Sequence, residues 1–101
     1  MNALDALADP TRRRVVEILA DGEQTAGQIA EVFPGTSRPA VSRHLRLLRE
    51  AGLVSVRPEG TRRVYTLERN PLLELEQWLS QRLDALDTEL TRGRRERRAT
   101  P

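Results

Sequence analysis

The 101-residue sequence contains no cysteine and no lysine. Without cysteine there are no disulfides, no thiolate metal sites and no thiol redox switches. Aromatic residues are scarce, with one tryptophan, one tyrosine and one phenylalanine, so a chain of this length is expected to build a thin, aliphatic core as one small domain. No run of about 18 apolar residues occurs, and the start of the chain lacks a charged-then-apolar signal. A cytoplasmic protein without a membrane partner is therefore expected. The absence of lysine means that all 17 basic residues are arginine. Arginine is the better planar donor to phosphate and guanine, but total avoidance of lysine is read first as the mark of a GC-rich genome.

Charge is abundant, at 32% of residues, yet the net charge is only +2. Its distribution is more informative than its sum. Residues 1–33 and 71–90 are net acidic, whereas 34–52, 53–70 and 91–101 are net basic. Positive charge concentrated in the middle third and the tail is the footprint expected of a nucleic-acid-binding face.

Along the chain, Leu4 and Leu7 lie in a short helical stretch that ends before Asp9-Pro10. Asp9 then caps a second helix, with Pro10 where no amide hydrogen is needed. Val15, Ile18 and Leu19 form the apolar stripe of that helix, and Asp21-Gly22 ends it. Thr25 and Gln28 have capping-box spacing, and the short helix they open is expected to bury Ile29, Val32 and Phe33. Phe33-Pro34-Gly35-Thr36 is a turn. Ser37 caps the next helix, which tolerates Pro39 in its first turn and runs to Ala51, where Gly52 supplies the stop. Residues 53–67 read as a β-hairpin: Val54 and Val56 alternate with Ser55 and Arg57, Pro58-Glu59-Gly60 turns, and Arg63–Thr66 resume a strand. Asn70-Pro71 starts a last helix, with Leu72, Leu75, Leu79, Leu83, Leu86 and Leu90 three or four apart. Residues 91–101 are read as a separate basic, disordered tail after a domain spanning 1–90. There is no internal repeat.

The stretch Ser37–Gly52, SRPAVSRHLRLLREAG, carries most of the functional signal. At 100° per residue, Val41, Leu45 and Leu48 fall within about 60° of one another and form the buried stripe. Arg38, Ser42, Arg46 and Arg49 fall on an adjoining flank, with Pro39 and Arg43 beside them and no acid before Glu50. A merely solvated helix normally alternates glutamate with arginine at i, i+4. That balance is missing, and the pattern favours a helix that enters the DNA major groove with its N-terminal half. Small Ser42 permits close approach, Arg38 and Arg43 can pair with guanine, and Arg46 and Arg49 suit phosphate. The preceding short helix completes a helix-turn-helix. The hairpin is then a wing whose Arg57, Arg62 and Arg63, near its tip, reach a phosphate or the minor groove; the blander role, compatible with this one, is to blunt a sheet edge.

Three blocks, ALADPTRRRVVEIL, SRPAVSRHLRLLREAGLV and RPEGTRRVYTL, resemble the ArsR-type winged helix-turn-helix repressors of bacteria. The likeness covers roughly residues 3–90. It implies a mainly α fold with a small β-hairpin, a homodimer through the N- and C-terminal helices, and repression by binding an inverted-repeat operator in double-stranded DNA. It carries DNA contacts onto Ser37, Arg38, Pro39, Ser42, Arg43 and His44, and onto the wing. Where metal-sensing members hold a cysteine pair, this chain has Gly27, Gln28 and Ile29, so it resembles the metal-independent branch and no metal or other cofactor is expected. A second family site on the last helix would need histidine; Asp84, Asp87 and Glu89 alone read as a solvated face.

Other signals are weak. His44, the sole histidine, lies among arginines with no cysteine nucleophile and no nearby carboxylate to orient it, so a catalytic residue is not expected and the chain is not read as an enzyme. The glycines at 22, 27, 35, 52 and 60 are scattered stops and turns rather than a phosphate loop. Trp78 is expected in the core or an interface. The last helix, about twenty residues and roughly 30 Å long, exceeds what a small winged core covers, so Leu72, Leu75, Leu79, Leu83, Leu86 and Leu90, joined by Leu4 and Leu7, are expected to meet a second copy. The expectation is a dimeric, sequence-specific transcriptional repressor; the sequence does not identify an inducing signal or small-molecule effector. Two rivals are a winged-helix interaction module without DNA binding and a non-specific chromosome-coating protein. The exposed arginine face disfavours the first and the acidic ends disfavour the second.

Overall fold

The computed structural model describes residues 1–99, with side chains described through Arg92. Its elements, in chain order, are α1 (Ala3–Ala6), α2 (Pro10–Ala20), β1 (Gln24–Thr25), α3 (Ala26–Glu31), α4 (Arg38–Glu50), β2 (Val54–Glu59), β3 (Arg62–Leu67) and α5 (Arg69–Ala99). The architecture is winged helix-turn-helix, mainly α with a small antiparallel sheet.

Local signals set most of the boundaries. The Asp9 carboxylate accepts the Arg12 amide at 3.0 Å and opens α2. Thr25 Oγ1 accepts the Gln28 amide at 3.2 Å while Gln28 Oε1 accepts the Thr25 amide at 2.8 Å, the reciprocal box that opens α3. Ser37 Oγ accepts the Ala40 amide at 3.3 Å and opens α4. At the other end of α4, Gly52 takes φ +75°. The Leu53 amide then reaches Leu48 O at 3.0 Å, and the Gly52 amide reaches Arg49 O at 2.9 Å. This double closure needs a left-handed residue, which glycine adopts without strain, and it turns the chain directly into β2.

The core gathers around α4. Val41, Leu45 and Leu48 are buried with Ala6, Val15, Leu19, Ile29, Leu53, Val54 and Tyr65. Each leucine-sized side chain in such a cluster stabilises the fold by about 1.5–3 kcal/mol. Because α4 is the central member, its three buried residues fix which of its faces remains outside.

The sheet is three-stranded in the order β1-β3-β2, with all pairs antiparallel. Pro58 and Glu59 pair with Arg63 and Arg62 inside the hairpin, where the sequence predicts them in the turn. β2 is an edge strand, so a residue without an amide hydrogen is tolerated there. The reversal falls instead at Gly60-Thr61, with Gly60 at φ +62°; glycine in first position suits a two-residue hairpin turn of the primed kind. β1 is an addition. Two residues give no alternation to read, and they form a strand only because β3 offers a free edge.

Three further points concern single residues and the length of the last helix. Val32 is exposed, not buried; it is the C-cap of α3, where the helix ends. Trp78 is 47% exposed, which removes the core from its two expected places and leaves the interface. The backbone of α5 stays helical to Ala99, past residue 91, where the sequence predicts a disordered tail. Arginine and glutamate are good helix formers, and Gly93 alone costs only about 1 kcal/mol. Thr100 and Pro101, the end of that expected tail, lie outside the described residues. No helix among the described residues is long and apolar enough to cross a membrane.

Candidate nucleic-acid interface

α4 has two unequal flanks beside its buried stripe. Arg38 and Ser42 turn toward α3 and line a narrow cleft with Ala26, Gly27, Ala30, Val41 and Leu45. On the far flank His44 and Leu47 are half-buried. Between the flanks Pro39, Arg43, Arg46 and Glu50 point outward and are exposed. The sequence-predicted residues Ser37, Arg38, Pro39, Ser42, Arg43 and Arg46 thus share one open surface.

A second, broader concavity lies between α3 and the wing, lined by Thr25, Ala26, Gly27, Thr61, Arg62 and Arg63. It shares Ala26 and Gly27 with the cleft beside Arg38. The wing arginines and the start of α4 therefore border one continuous surface that crosses the beginning of α3. A Cβ on Gly27 would meet only Thr25 Oγ1, at 3.9 Å, so this saddle is open rather than packed.

Charge on this surface is largely uncompensated. Among the described residues, Arg38, Arg43, Arg62 and Arg63 enter no ion pair. Arg46 faces Glu50 at 3.9 Å, but both are exposed, and such a pair contributes little. Arginines held close together without acidic partners repel one another, and a polyanion relieves that repulsion.

Two predicted contact residues stand apart. Arg57 is not at the wing tip. It sits opposite Val64 in the hairpin, with its guanidinium on both Glu23 oxygens, at 2.5 and 2.8 Å, and on Glu59 at 3.3 Å. Glu23 also accepts from Thr66 Oγ1 at 3.2 Å. The Arg57 hydrogen bond holds the Glu23 carboxyl below its ordinary value, and Glu23 in turn raises Arg57. His44 lies on the flank facing α1 and α2. Its Nδ1 is 3.4 Å from Arg12 Nη1 and 3.9 Å from Asp9 Oδ2, so a carboxylate does stand near this histidine. Glu23 and Arg12 were not legible as partners, because each acts across more than thirty positions of sequence.

The predicted association surface is mixed. Leu7 and Leu72 pack against the chain's own core, and Leu75 is half-buried. Leu4, Leu79, Leu83, Leu86 and Leu90 are exposed. Beside that stripe the Arg82 guanidinium stacks on the Trp78 ring, 4.5 Å from its centroid. Among the described residues no group of three or more histidine, aspartate or glutamate side chains is placed to hold a metal ion, and Asp84, Asp87 and Glu89 lie on exposed α5.

Residues 7–57 match the helix-turn-helix domain family. The chain is 53% identical to the HTH-type transcriptional regulator Rv2034 of Mycobacterium tuberculosis over 73 residues, 72% of this chain and 67% of that protein. It is 35% identical to the transcriptional repressor SdpR of Bacillus subtilis over 89 residues, 88% of this chain and 98% of that one. Among solved structures, an ArsR family transcriptional regulator superposes with a TM-score of 0.77 at 30% identity, covering 83% of this chain and 91% of the other. A possible transcriptional regulator for arsenical resistance superposes with a TM-score of 0.74 at 42% identity, covering 88% and 96%.

Proposed function

Because this chain belongs to the ArsR family of winged helix-turn-helix regulators, DNA-binding repressors of transcription, we propose that it represses as a homodimer on an inverted-repeat operator. Each protomer presents α4 to a major groove and its wing to the flanking backbone. Two-fold symmetry sets the two reading helices about one DNA turn apart. Exposed Leu4, Leu79, Leu83, Leu86 and Leu90 join the copies. The observation that carries this reading is the set Arg38, Arg62 and Arg63, without ion pairs among the described residues and bordering one surface from α4 across α3 to the wing, with Arg43 exposed on the outward face of α4.

Arg43, the most outward arginine in the first half of α4, reads a guanine, and Ser42 and Pro39 allow the helix to come close. Arg38 contributes from the side of the cleft. Arg46, Arg62 and Arg63 grip phosphate and supply affinity without sequence choice. Without cysteine, an inducing signal does not act through thiolate coordination of a metal.

Fluorescence anisotropy tests the reading, using duplex from upstream of the protein's own gene against a scrambled duplex across a salt series. A preference of about a thousandfold with a steep salt slope is the expected result. Equal, salt-labile binding of a panel of genomic duplexes would point to a chromosome-coating protein. Absence of binding at low salt would overturn DNA recognition and favour an interaction module.

A further inference from the structure

Arg12 occupies the first turn of α2, and its side chain reaches backward and sideways at once. Nε donates to Ala6 O at 2.7 Å, at the end of α1, and Nη2 approaches Asp5 O at 3.5 Å. Nη1 lies 3.4 Å from Nδ1 of His44 in the middle of α4. The Arg12 amide is itself fixed by the Asp9 carboxylate at 3.0 Å. One planar guanidinium thus joins α1 to the helix that faces DNA. A guanidinium only donates. A hydrogen bond between Nη1 and Nδ1 has Nδ1 as the acceptor, with the imidazole neutral and its hydrogen on Nε2; Asp9 Oδ2, 3.9 Å from Nδ1, is the competing partner that an Nδ1–H form would face.

We propose that Arg12 is a positioning residue for DNA binding, holding α4 at a set angle to α1 by donating to His44 in its neutral Nε2–H form. This rests on the homodimer reading above. α1 carries exposed Leu4 and packs on α5, so it belongs to the association surface. The angle between α1 and α4 then sets the separation of the two reading helices. α1 has only four residues, too few to hold its own direction, because an isolated helix this short is unstable in water. Its orientation depends on burial of Ala6 and on the carbonyl contacts that Arg12 makes. Lysine cannot replace arginine here, since a single ammonium lacks the fork that reaches Ala6 O and Nδ1 together.

The chain has a single histidine, so its imidazole signals are unambiguous in a long-range proton–nitrogen spectrum. At pH 7.5 the expected pattern is a protonated Nε2 and an unprotonated Nδ1. In Arg12→Met and Arg12→Lys that preference is expected to relax toward a mixture of the two neutral forms. Affinity for a duplex selected by the wild-type protein is expected to fall about tenfold in both variants, with binding to an isolated half-site unchanged. His44→Gln, whose amide oxygen accepts where Nδ1 did, should retain operator binding, and His44→Leu should lose it as Arg12→Met does. Circular dichroism confirms that each variant is folded. A protonated Nδ1 in the wild-type protein would overturn the proposal. So would Arg12→Met binding the operator as tightly as wild type, or losing operator and half-site affinity equally. A wild type that prefers no duplex would sink the DNA-binding reading instead, and the spectra would still decide whether the tether exists.

Discussion

Arg57 on β2 grips Glu23, just ahead of β1, through two parallel hydrogen bonds of 2.5 and 2.8 Å. The fork-to-carboxylate geometry is the strong form of this pair, and Glu59 adds a second acid at 3.3 Å. Arg57 therefore carries little uncompensated charge toward DNA, although sequence alone groups it with Arg62 and Arg63. Each freely available arginine that neutralises a phosphate adds about 0.9 to the slope of log K against log salt. Arg57→Ala is expected to leave that slope nearly unchanged, and Arg62→Ala to reduce it by about 0.9. Equal reductions in an anisotropy salt series would show that the Glu23 pair opens when DNA binds.

Arg43 and Arg62 should differ in another way. Arg43 projects from the outward face of α4, and Arg62 lies beside the turn of the wing. Arg43→Ala is expected to cost about 1–3 kcal/mol on the preferred duplex and to relax sequence choice. Arg62→Ala should weaken preferred and random duplexes by the same factor. Competition binding with both duplexes distinguishes them, and a uniform loss for Arg43→Ala would assign it to the backbone.

The contrast between these arginines shows how far sequence reaches. Caps and stripes are local: Asp9, Thr25 and Ser37 sit three residues from the amides they accept, and Val41, Leu45 and Leu48 recur at helical spacing. Helix α4 and the hairpin were therefore legible, as was the exposed arginine face. The Arg57–Glu23 pair and the Arg12–His44 contact were not, because they join segments 34 and 32 positions apart and no periodicity marks them. β1 escaped for a related reason, since its two residues become a strand only against β3. The shift of the turn from Pro58 to Gly60 has a different origin. Proline usually signals a reversal, but on an edge strand its missing amide hydrogen leaves no partner unsatisfied.

Acid should weaken the fold through Asp9. Its carboxylate accepts the Arg12 amide, and this, followed by the nearby Arg12 charge, holds its pKa below the ordinary 3.8. A lowered folded value means that the contribution is full only well above 3.8, shrinks as pH falls through 3.8 and is gone below the lowered folded value. Asp9→Asn keeps a capping oxygen, so it should cost less than about 1 kcal/mol at pH 7, and it removes the titration. Urea unfolding at pH 7 and pH 3 is expected to show a smaller acid loss for Asp9→Asn than for wild type. Parallel losses would place the acid sensitivity on other carboxylates.

Leu48 and Leu83 both lie on leucine-rich stripes, but the structure gives them opposite surroundings. Leu48 is fully buried in the core toward the end of α4, so Leu48→Ala should destabilise the chain by about 2–5 kcal/mol through the cavity it leaves. Leu83 is 59% exposed, with Leu79, Leu86 and Leu90 beside it on α5. An apolar row of this kind on a 31-residue helix costs little within one chain and gains only by meeting another surface. Leu83→Asp is therefore expected to leave the fold of a protomer intact by circular dichroism and to shift sedimentation from dimer to monomer. Operator affinity should then fall steeply while half-site binding persists, because each protomer keeps its own reading helix. If Leu83→Asp remained dimeric, the copies would have to meet through another face, and the α5 stripe would need a different partner.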